Sequence, residues 1–145
     1  MSKRAEVQIR LARPDEREHL EALQRRAATA LPDYREQLQA NPDAIDLPAE
    51  QIARGEVLVA EVDGAIAGFA AVIGGELDGL FVEPQLWRNG VGAALVEAAA
   101  YEARRRGLSL SVTANPTALG FYERCGFSVE CETETRFGPA PRMSR

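Results

Sequence analysis

The chain has 145 residues, of which 46% are hydrophobic and 27% charged, a composition typical of one globular domain with a buried core. A formal net charge of −5 argues against nucleic-acid binding, because neutralising phosphates requires a concentrated basic surface. No apolar run reaches the length of a membrane span, and Met1–Glu6 lacks the apolar stretch of a secretory signal. We therefore expect a single cytoplasmic domain over residues 1–145, with neither nucleic acid nor membrane as a partner.

The first third of the chain predicts a strand followed by helices. Val7–Leu11 alternates apolar and polar residues, which indicates a strand. Pro14 opens a helix, where its missing N–H costs nothing, and an apolar stripe follows at helical spacing: Leu20, Leu23 and Ala27. Prolines divide the next stretch, which predicts two short helices, around Asp33–Gln39 and Pro48–Arg54.

The middle of the chain predicts a meander of three antiparallel strands. Val57–Val62 and Ala65–Ile73 are β-rich runs joined by the Asp-Gly dipeptide at 63–64, which suits a tight type I′ turn. Two glycines at 74–75 make a second turn, and Glu76–Val82 forms the next strand.

Helices and strands alternate after Pro84. Gly90–Arg106 carries apolar residues at helical spacing, Leu108–Val112 is a strand, and Pro116–Arg124 is a shorter helix. Phe127–Phe137 is a final strand region. The resulting order, β-α-α-β-β-β-α-β-α-β, predicts one mixed α/β (α+β) domain built around a sheet.

The two cysteines and the single histidine restrict the available chemistry. Cys125 and Cys131 fit neither a CxxC motif nor a metal-ligand spacing, so we expect free thiols and no metal site. His19 ends a charged run that begins at Asp15 and is interpreted as a solvated helix position, so a Ser-His-Asp triad is not expected.

A glycine-containing loop is the strongest candidate for a binding site. Residues 88–93 read Arg-Asn-Gly-Val-Gly-Ala and connect a strand to the start of a long helix. The first N–H groups of a helix lack partners and carry partial positive charge, so they bind phosphates well. Gly90 and Gly92 let the backbone approach an oxyanion, and Arg88 adds a cation. Taken alone, the motif also fits an ordinary strand-to-helix turn.

Other nucleotide motifs do not fit this loop. A Walker loop requires Lys and Ser or Thr directly after the second glycine, where Ala93 and Ala94 stand. A Rossmann fingerprint requires a parallel βαβ unit, whereas three antiparallel strands precede this loop.

Two segments resemble the motifs of the GNAT superfamily of N-acetyltransferases. Leu80–Pro84 followed by Trp87–Leu95 is similar to the acetyl-CoA-binding motif, and Asn115–Phe127 is similar to the second family motif. The resemblance implies a mixed, mostly antiparallel central sheet flanked by helices and splayed between its fourth and fifth strands. It also implies an acyl-CoA-dependent N-acyltransferase. Trp87 departs from the pattern, which favours Gln or Arg at that position.

The resemblance further implies where acetyl-CoA binds, with no metal involved. Pantetheine would enter the gap between the strands at 76–82 and 108–112, pairing with backbone groups of Leu80 and Val82. A backbone N–H near Leu80 or Phe81 would face the thioester oxygen. The implied cofactor-binding residues are Leu80, Phe81, Val82, Arg88, Asn89, Gly90, Val91, Gly92, Ala93, Asn115 and Tyr122.

Three residues are candidates for catalysis. An alkyl amine is mostly protonated at neutral pH, so a group must accept a proton. Glu76 resembles, by its spacing from Leu80–Val82, the position of a catalytic glutamate in some family members, and it is the leading candidate, acting directly or through water. Asp78 shares its strand face, where two carboxylates could raise one pKa or attract a cation, although both also fit solvent-facing strand positions. Tyr122 is expected to donate a hydrogen bond to the departing sulfur. Asn115 is both a candidate N-cap and a cofactor contact, whereas Cys125 lacks a basic partner for a role as acetyl-accepting nucleophile.

The acceptor is less well defined than the cofactor. We expect its pocket to be formed by Leu31–Gly55, the face carrying Glu76 and Asp78, and the tail Glu130–Arg145. The expected acceptor is a primary amine on a small molecule. A peptide or protein amine remains an alternative, as does a non-catalytic acyl-CoA sensor. Homodimers are common in the family, although no residue of the sequence identifies an interface.

Overall fold

The helices and strands of the chain follow the predicted order closely. The computed structural model describes residues 6–41, 43 and 45–145, and at residues 32–34 the backbone alone. The strands are β1 (Val7–Leu11), β2 (Val57–Val62), β3 (Ala65–Ile73), β4 (Glu76–Val82), β5 (Ser111–Thr113), β6 (Ser128–Thr135) and β7 (Gly138–Ser144). The α-helices are α1 (Arg17–Thr29), α2 (Pro32–Ala40), α3 (Ala49–Ala53), α4 (Val91–Arg105) and α5 (Leu119–Arg124). Short 3₁₀ turns lie at Pro14–Glu16, Pro84–Leu86 and Pro116–Ala118.

The strands form one mixed sheet in the order β1-β2-β3-β4-β5-β7-β6. Neighbouring strands pair antiparallel except β4 and β5, which are parallel. The β4–β5 pairing covers only Glu76 with Ser111 and Leu77 with Val112, and the strands part beyond that point. The predicted fold class and the splay between the fourth and fifth strands are confirmed.

The first hairpin forms as its dipeptide predicts. Asp63 and Gly64 have φ values of 52° and 79°. A type I′ turn requires positive φ at both central residues, which Asp tolerates and Gly adopts freely. This turn sets the pairing of Val62 with Ala65 and of Glu61 with Ile66, and a bulge at Ala67 then shifts the register of the following pairs by one residue.

A β-bulge interrupts β4 where it leaves β5. Ala71 of β3 pairs with Gly79 and Val72 pairs with Leu77, so Asp78 has no partner on β3. A bulge adds one residue to one strand and bends that strand. The bend coincides with the last residue pair between β4 and β5, and both features together open the gap.

Each face of the sheet covers its own core. Along β2, Val57 and Val59 pack in the cluster with Leu20 and Leu23 of α1, whereas Leu58 and Ala60 belong to the cluster under α4. The alternation follows from the two-residue period of a strand. The α4 side is filled mainly by residues at helical spacing: Val91, Leu95, Val96, Ala99, Ala100 and Ala103. Within the described part of the chain, no helix is long and apolar enough to cross a membrane.

The end of the chain differs from the prediction. The expected last strand, Phe127–Phe137, is the first arm of a hairpin, and β7 inserts between β5 and β6. The sequence did not indicate β7 because it contains Pro139 and Pro141. A proline cannot donate a hydrogen bond to a neighbouring strand and therefore argues against a strand. The carbonyl of Pro141 accepts from the N–H of Ala114, which follows β5. The nitrogen and the carbonyl of one strand residue point to the same side, so the nitrogen of Pro141 also faces β5. The residue pairs between β7 and β5 begin at Arg142. The prolines therefore stand where no β5 partner needs their missing N–H groups.

Candidate active site

A cavity of about 700 Å³ opens where β4 and β5 part. It is lined by β4, by the end of β5, by the first turns of α4 and α5, and by residues of α1 and α2. The structure brings together in its wall most of the predicted site residues: Asp78, Leu80, Phe81, Val82, Arg88, Gly90, Gly92, Ala93, Asn115 and Tyr122.

Three predicted residues lie outside the wall of this cavity. Val91 is 2% exposed and packs in the core under α4, so only its backbone N–H is available to a ligand. The Nδ2 group of Asn89 donates to the carbonyl of Trp87 over 3.2 Å, which holds the loop rather than a ligand. Glu76 is the third.

Glu76 is engaged in an ion pair below the gap. Its Oε1 accepts from Nη1 of Arg142 on β7 at 2.6 Å, and the same nitrogen donates to Oγ1 of Thr113 on β5 at 3.1 Å. The three side chains thus connect β4, β5 and β7 where the strands are still adjacent. The sequence contained no local signal for Arg142, which lies 66 positions from Glu76.

Asp78 is the predicted carboxylate that does line the cavity. Burial by the surrounding protein raises the pKa of Asp78, and the negative charges of Glu76 and Glu56 raise it further. The expectation that two neighbouring carboxylates shift one pKa is therefore confirmed in direction, with burial as the larger cause. Asp78 also occupies the bulge position, which places it at the mouth of the gap.

The backbone of β4 presents hydrogen-bonding groups to the gap. The N–H of Glu83 donates to Ala67 of the preceding strand over 2.9 Å, and peptide groups alternate in direction along a strand. The N–H and C=O groups of Leu80 and Val82 therefore point away from β3 and into the gap. The N–H and C=O groups of Phe81 point to β3. Of the two N–H groups predicted to face the thioester oxygen, at Leu80 and Phe81, only that of Leu80 therefore points into the gap.

Trp87 contacts this open edge. Its Nε1 donates to the carbonyl of Val82 over 2.8 Å, while its side chain is 39% exposed. A carbonyl oxygen has a second lone pair, so Val82 can accept one further hydrogen bond. This contact was not predicted, because the sequence pattern identified Trp87 only as a departure.

The loop before α4 is shaped for an anion. Gly90 is the N-cap with φ 84°, and the first intrahelical bond runs from the N–H of Ala94 to its carbonyl over 3.0 Å. The earlier N–H groups of the helix have no intrahelical acceptor. Arg88, with φ 69°, and Arg124 of α5 line the same cavity. An overall acidic chain thus has a local cationic site.

Gly92 has a second role besides approach to a ligand. A Cβ at this position would lie 3.1 Å from Cζ and 3.3 Å from Cε1 of Phe121. The missing side chain therefore allows the first turn of α4 to pack directly on the aromatic residues of α5.

Tyr122 lines the cavity and is largely shielded from solvent. Its ring is held between Phe121 and Phe127, at centroid distances of 5.1 and 5.4 Å, and the residue is 7% exposed. Its hydroxyl takes part in no hydrogen bond among the described residues. Burial raises the pKa of Tyr122 above its usual value, with a smaller contribution from Cys125. The hydroxyl therefore stays protonated and is suited to donate a hydrogen bond.

The structure also gives the surroundings of Asn115 and Cys125. Oδ1 of Asn115 accepts from the N–H of Thr117 at 3.1 Å, which confirms the cap, and Asn115 also lines the cavity. Burial raises the pKa of Cys125, so its thiol is not activated as a nucleophile. The described residues include no group of three or more His, Cys, Asp or Glu side chains that could hold a metal ion.

Comparisons with known proteins agree with this geometry. Residues 53–129 match the family model described as acetyltransferase (GNAT) domain. The chain is 33% identical over 135 residues to the peptidyl-lysine N-acetyltransferase YjaB of Salmonella typhimurium strain LT2, covering 88% of each chain.

Solved structures show the same fold. The solution structure of apo-form YjaB from Escherichia coli has a TM-score of 0.74 at 28% identity, covering 95% of this chain and 96% of that one. A GCN5-related N-acetyltransferase from Rhodopseudomonas palustris has a TM-score of 0.75 at 24% identity, covering 100% and 97%.

Replacing Asp78 by asparagine should raise the melting temperature at neutral pH. An aspartate with a raised folded-state pKa is harder to ionise in the folded chain than in the unfolded chain, so its charge destabilises the fold above the unfolded pKa of about 3.9. The advantage of Asp78→Asn should shrink as the pH falls through the raised pKa. Thermal unfolding at several pH values measures this.

The control for this experiment is Glu76→Gln, which also replaces a β4 carboxylate by an amide. This variant loses the ion pair with Arg142, so its melting temperature at neutral pH should not exceed that of the wild type. A lower melting temperature for Asp78→Asn than for the wild type at neutral pH would contradict the assignment of a desolvated carboxylate.

Proposed function

The chain belongs to the GNAT superfamily of N-acetyltransferases and is an acyl-CoA-dependent enzyme, and we propose that it acetylates the primary amine of a small molecule. The observation that carries this proposal is the cavity at the β4–β5 gap. Its wall contains a desolvated carboxylate, Asp78, and the buried residue Tyr122, whose hydroxyl takes part in no hydrogen bond among the described residues. Direct transfer from thioester to amine requires a proton acceptor and a stabiliser of the leaving sulfur, and these groups supply both.

The cavity wall fits acetyl-CoA along its length. The free N–H groups at the start of α4, with Arg88 and Arg124, suit the pyrophosphate. The open edge at Leu80 and Val82 suits the amides of pantetheine, which extend β4 sideways as a further strand would. The N–H of Leu80 then faces the thioester oxygen, where negative charge develops during attack, and one such donor is worth roughly 10²–10³ in rate.

Asp78 is our candidate for the proton acceptor, in place of Glu76. The carboxylate of Glu76 is paired with Arg142 and is absent from the cavity wall, whereas Asp78 is open to the cavity. A raised pKa makes a carboxylate a better base, because proton affinity and pKa rise together. Asp78 also attracts the ammonium form of the amine to the site.

Tyr122 is our candidate for the partner of the leaving sulfur. A thiol of the cysteine type has a pKa of about 8.5, well below that of an unperturbed tyrosine at about 10. Burial raises the pKa of Tyr122 further, so complete proton transfer to the thiolate is unfavourable. Its role is therefore to donate a hydrogen bond to the developing charge.

A second candidate acceptor is a lysine side chain on a peptide. The observation that favours it is the name of the relatives from Salmonella typhimurium and Escherichia coli, peptidyl-lysine N-acetyltransferase YjaB. The two acceptors share a primary alkyl ammonium group, so Asp78 and Tyr122 would act on both in the same way.

The test is the release of free CoA from acetyl-CoA in the presence of matched amines. Small monoamines, diamines and lysine-containing peptides should be compared at equal concentration, with mass spectrometry of the product. Acetylated small amines support the proposal, and turnover of peptides alone supports the second candidate. Binding of acetyl-CoA without stimulation by any amine would contradict both.

Replacing Gly90 by alanine should weaken CoA binding as well as the fold. An alanine at the positive φ of Gly90 destabilises the fold by roughly 1–2 kcal/mol, and Gly90 lies in the wall of the cavity, where we expect an added methyl group to hinder the ligand. Gly107→Ala is the control, because Gly107 also has positive φ, of 73°, but ends α4 with nothing within 4 Å of an added Cβ. Calorimetric titration with CoA should show a weaker affinity for Gly90→Ala alone. Equal affinities would remove Gly90 from the binding site.

Tyr122→Phe should lower kcat and leave the affinity for acetyl-CoA nearly unchanged. The substitution keeps the aromatic packing against Phe121 and Phe127 and removes only the hydroxyl. We expect a decrease of about tenfold to a hundredfold, as for the loss of one hydrogen bond made in the transition state. Wild-type turnover in this variant would exclude Tyr122 from the mechanism.

The pH profile separates Asp78 from Glu76. Asp78→Asn should lower kcat/KM by about 10²–10⁴ and abolish the acidic limb of the profile. Glu76→Gln should retain most activity and shift that limb to lower pH, because it removes a negative charge that raises the pKa of Asp78. The opposite pattern, with Glu76→Gln as the inactive variant, would return the role of base to Glu76.

A further inference from the structure

One part of the cavity wall, the apolar end, is formed mainly by carbon-rich side chains. It consists of residues from α1, α2, the segment between α2 and α3, and the turn between β6 and β7: Ala27, Ala28, Leu31, Leu38, Ile45 and Phe137. These segments are distinct from β4, β5 and the first turns of α4 and α5, which line the rest of the cavity. This end of the cavity is therefore available to the acceptor rather than to the cofactor.

Phe137 is placed by a firmly held turn. Oγ1 of Thr135 donates to the carbonyl of Gly138 at 2.6 Å and accepts from the N–H of Phe137 at 3.1 Å. These bonds close the β6–β7 hairpin on itself. The ring of Phe137 is thereby presented to the cavity from a fixed position instead of from a loose loop.

An ion pair ties this turn to the opposite side of the apolar end. Nη2 of Arg136 donates to Oδ1 of Asp43 at 2.9 Å and to Oδ1 of Asn41 at 3.1 Å. The guanidinium also lowers the pKa of Asp43. The two side chains of the ion pair are 47% and 78% exposed, so the contact is weak and can open to admit a molecule. When it is closed, a guanidinium stands beside the apolar end.

The charges of the cavity favour one ammonium group. Among the described residues of the wall, Asp78 is the only carboxylate. A molecule with a second ammonium would place it against apolar side chains or beside the guanidinium of Arg136, which already pairs with Asp43, and the second ammonium would lose hydration there. The charge pattern therefore accepts monoamines and disfavours polyamines.

On the basis of the proposed function, we propose that the preferred acceptors are monoamines with an apolar alkyl or aryl body and that Phe137 determines this specificity. The amino group lies at Asp78, and the body packs between Phe137, Leu38 and Ile45. A lysine in a peptide offers a similar chain of methylenes but brings two peptide groups to the apolar end. It is therefore a poorer acceptor than a free alkyl amine.

The test compares kcat/KM for amines of similar basicity. Hexylamine and phenethylamine should exceed ethylamine at least tenfold, since each buried methylene contributes about fourfold. The matched diamine, 1,6-diaminohexane, should be at least tenfold poorer than hexylamine, and Nα-acetyl-lysine amide should also be poorer. Equal values for hexylamine and ethylamine, or a preference for the diamine or the lysine amide, would overturn the proposal.

Variants of the hairpin assign the specificity to one side chain. Phe137→Ala should reduce the ratio of kcat/KM for hexylamine over ethylamine several-fold, and Phe137→Leu should largely restore it. Val129→Ala is the control, because Val129 is exposed on β6 of the same hairpin and is absent from the cavity wall.

A loss of folded protein cannot change this ratio, because both amines are measured on the same sample. An unchanged ratio in Phe137→Ala would overturn the role of Phe137. Failure of every amine to stimulate CoA release, with acetyl-CoA binding intact, would instead overturn the proposed function and this inference with it.

Discussion

The parting of β4 and β5 is the constraint on which the site depends. Parallel pairing ends after Leu77, and the bulge at Asp78 turns β4 away from its neighbour. Peptide groups at Leu80 and Val82 are thereby left without a strand partner, although buried peptide groups normally find one. An extended molecule with amide groups can satisfy them, as a strand would. The ion pair of Glu76 with Arg142 lies just below and holds the sheet together up to the point of separation.

Local charge, rather than net charge, decides what this gap can hold. The chain carries −5 overall, yet the start of α4 and two arginines, Arg88 and Arg124, line the cavity. The bulge places a carboxylate elsewhere in the same cavity, where burial and two nearby carboxylates raise its pKa. An anionic donor and a cationic acceptor can therefore occupy one cavity without competing for the same charges. The overall charge of the sequence contained no information about this separation.

Local patterns predicted most of the fold and most of the residues that line the cavity, whereas contacts between distant residues could not be read from the sequence. The Asp63–Gly64 turn and the loop at 88–93 depend on neighbouring residues, so the sequence shows them directly. The sequence analysis did not predict β7, because Pro139 and Pro141 argue against a strand. These prolines fit only beyond the pairing with β5, and the extent of that pairing depends on the assembled sheet. The pairing of Glu76 with Arg142 likewise joins residues that are distant in the sequence. Because of this pairing, we propose Asp78 rather than Glu76 as the base. The position of Asp78 in the cavity follows from the bulge in β4, which the sequence did not show.

Packing joins the two family motifs into one physical unit. Gly92 of the first motif contacts the ring of Phe121 of the second, and that ring lies edge to face against Tyr122. A shift of the turn before α4, which we propose binds phosphate, would therefore displace the hydroxyl that we propose faces the sulfur. The apolar end is built from other segments, those around α2 and the β6–β7 turn. Substitutions at Phe137 can therefore change the acceptor without moving this unit, which is why we expect specificity to vary there while cofactor binding persists.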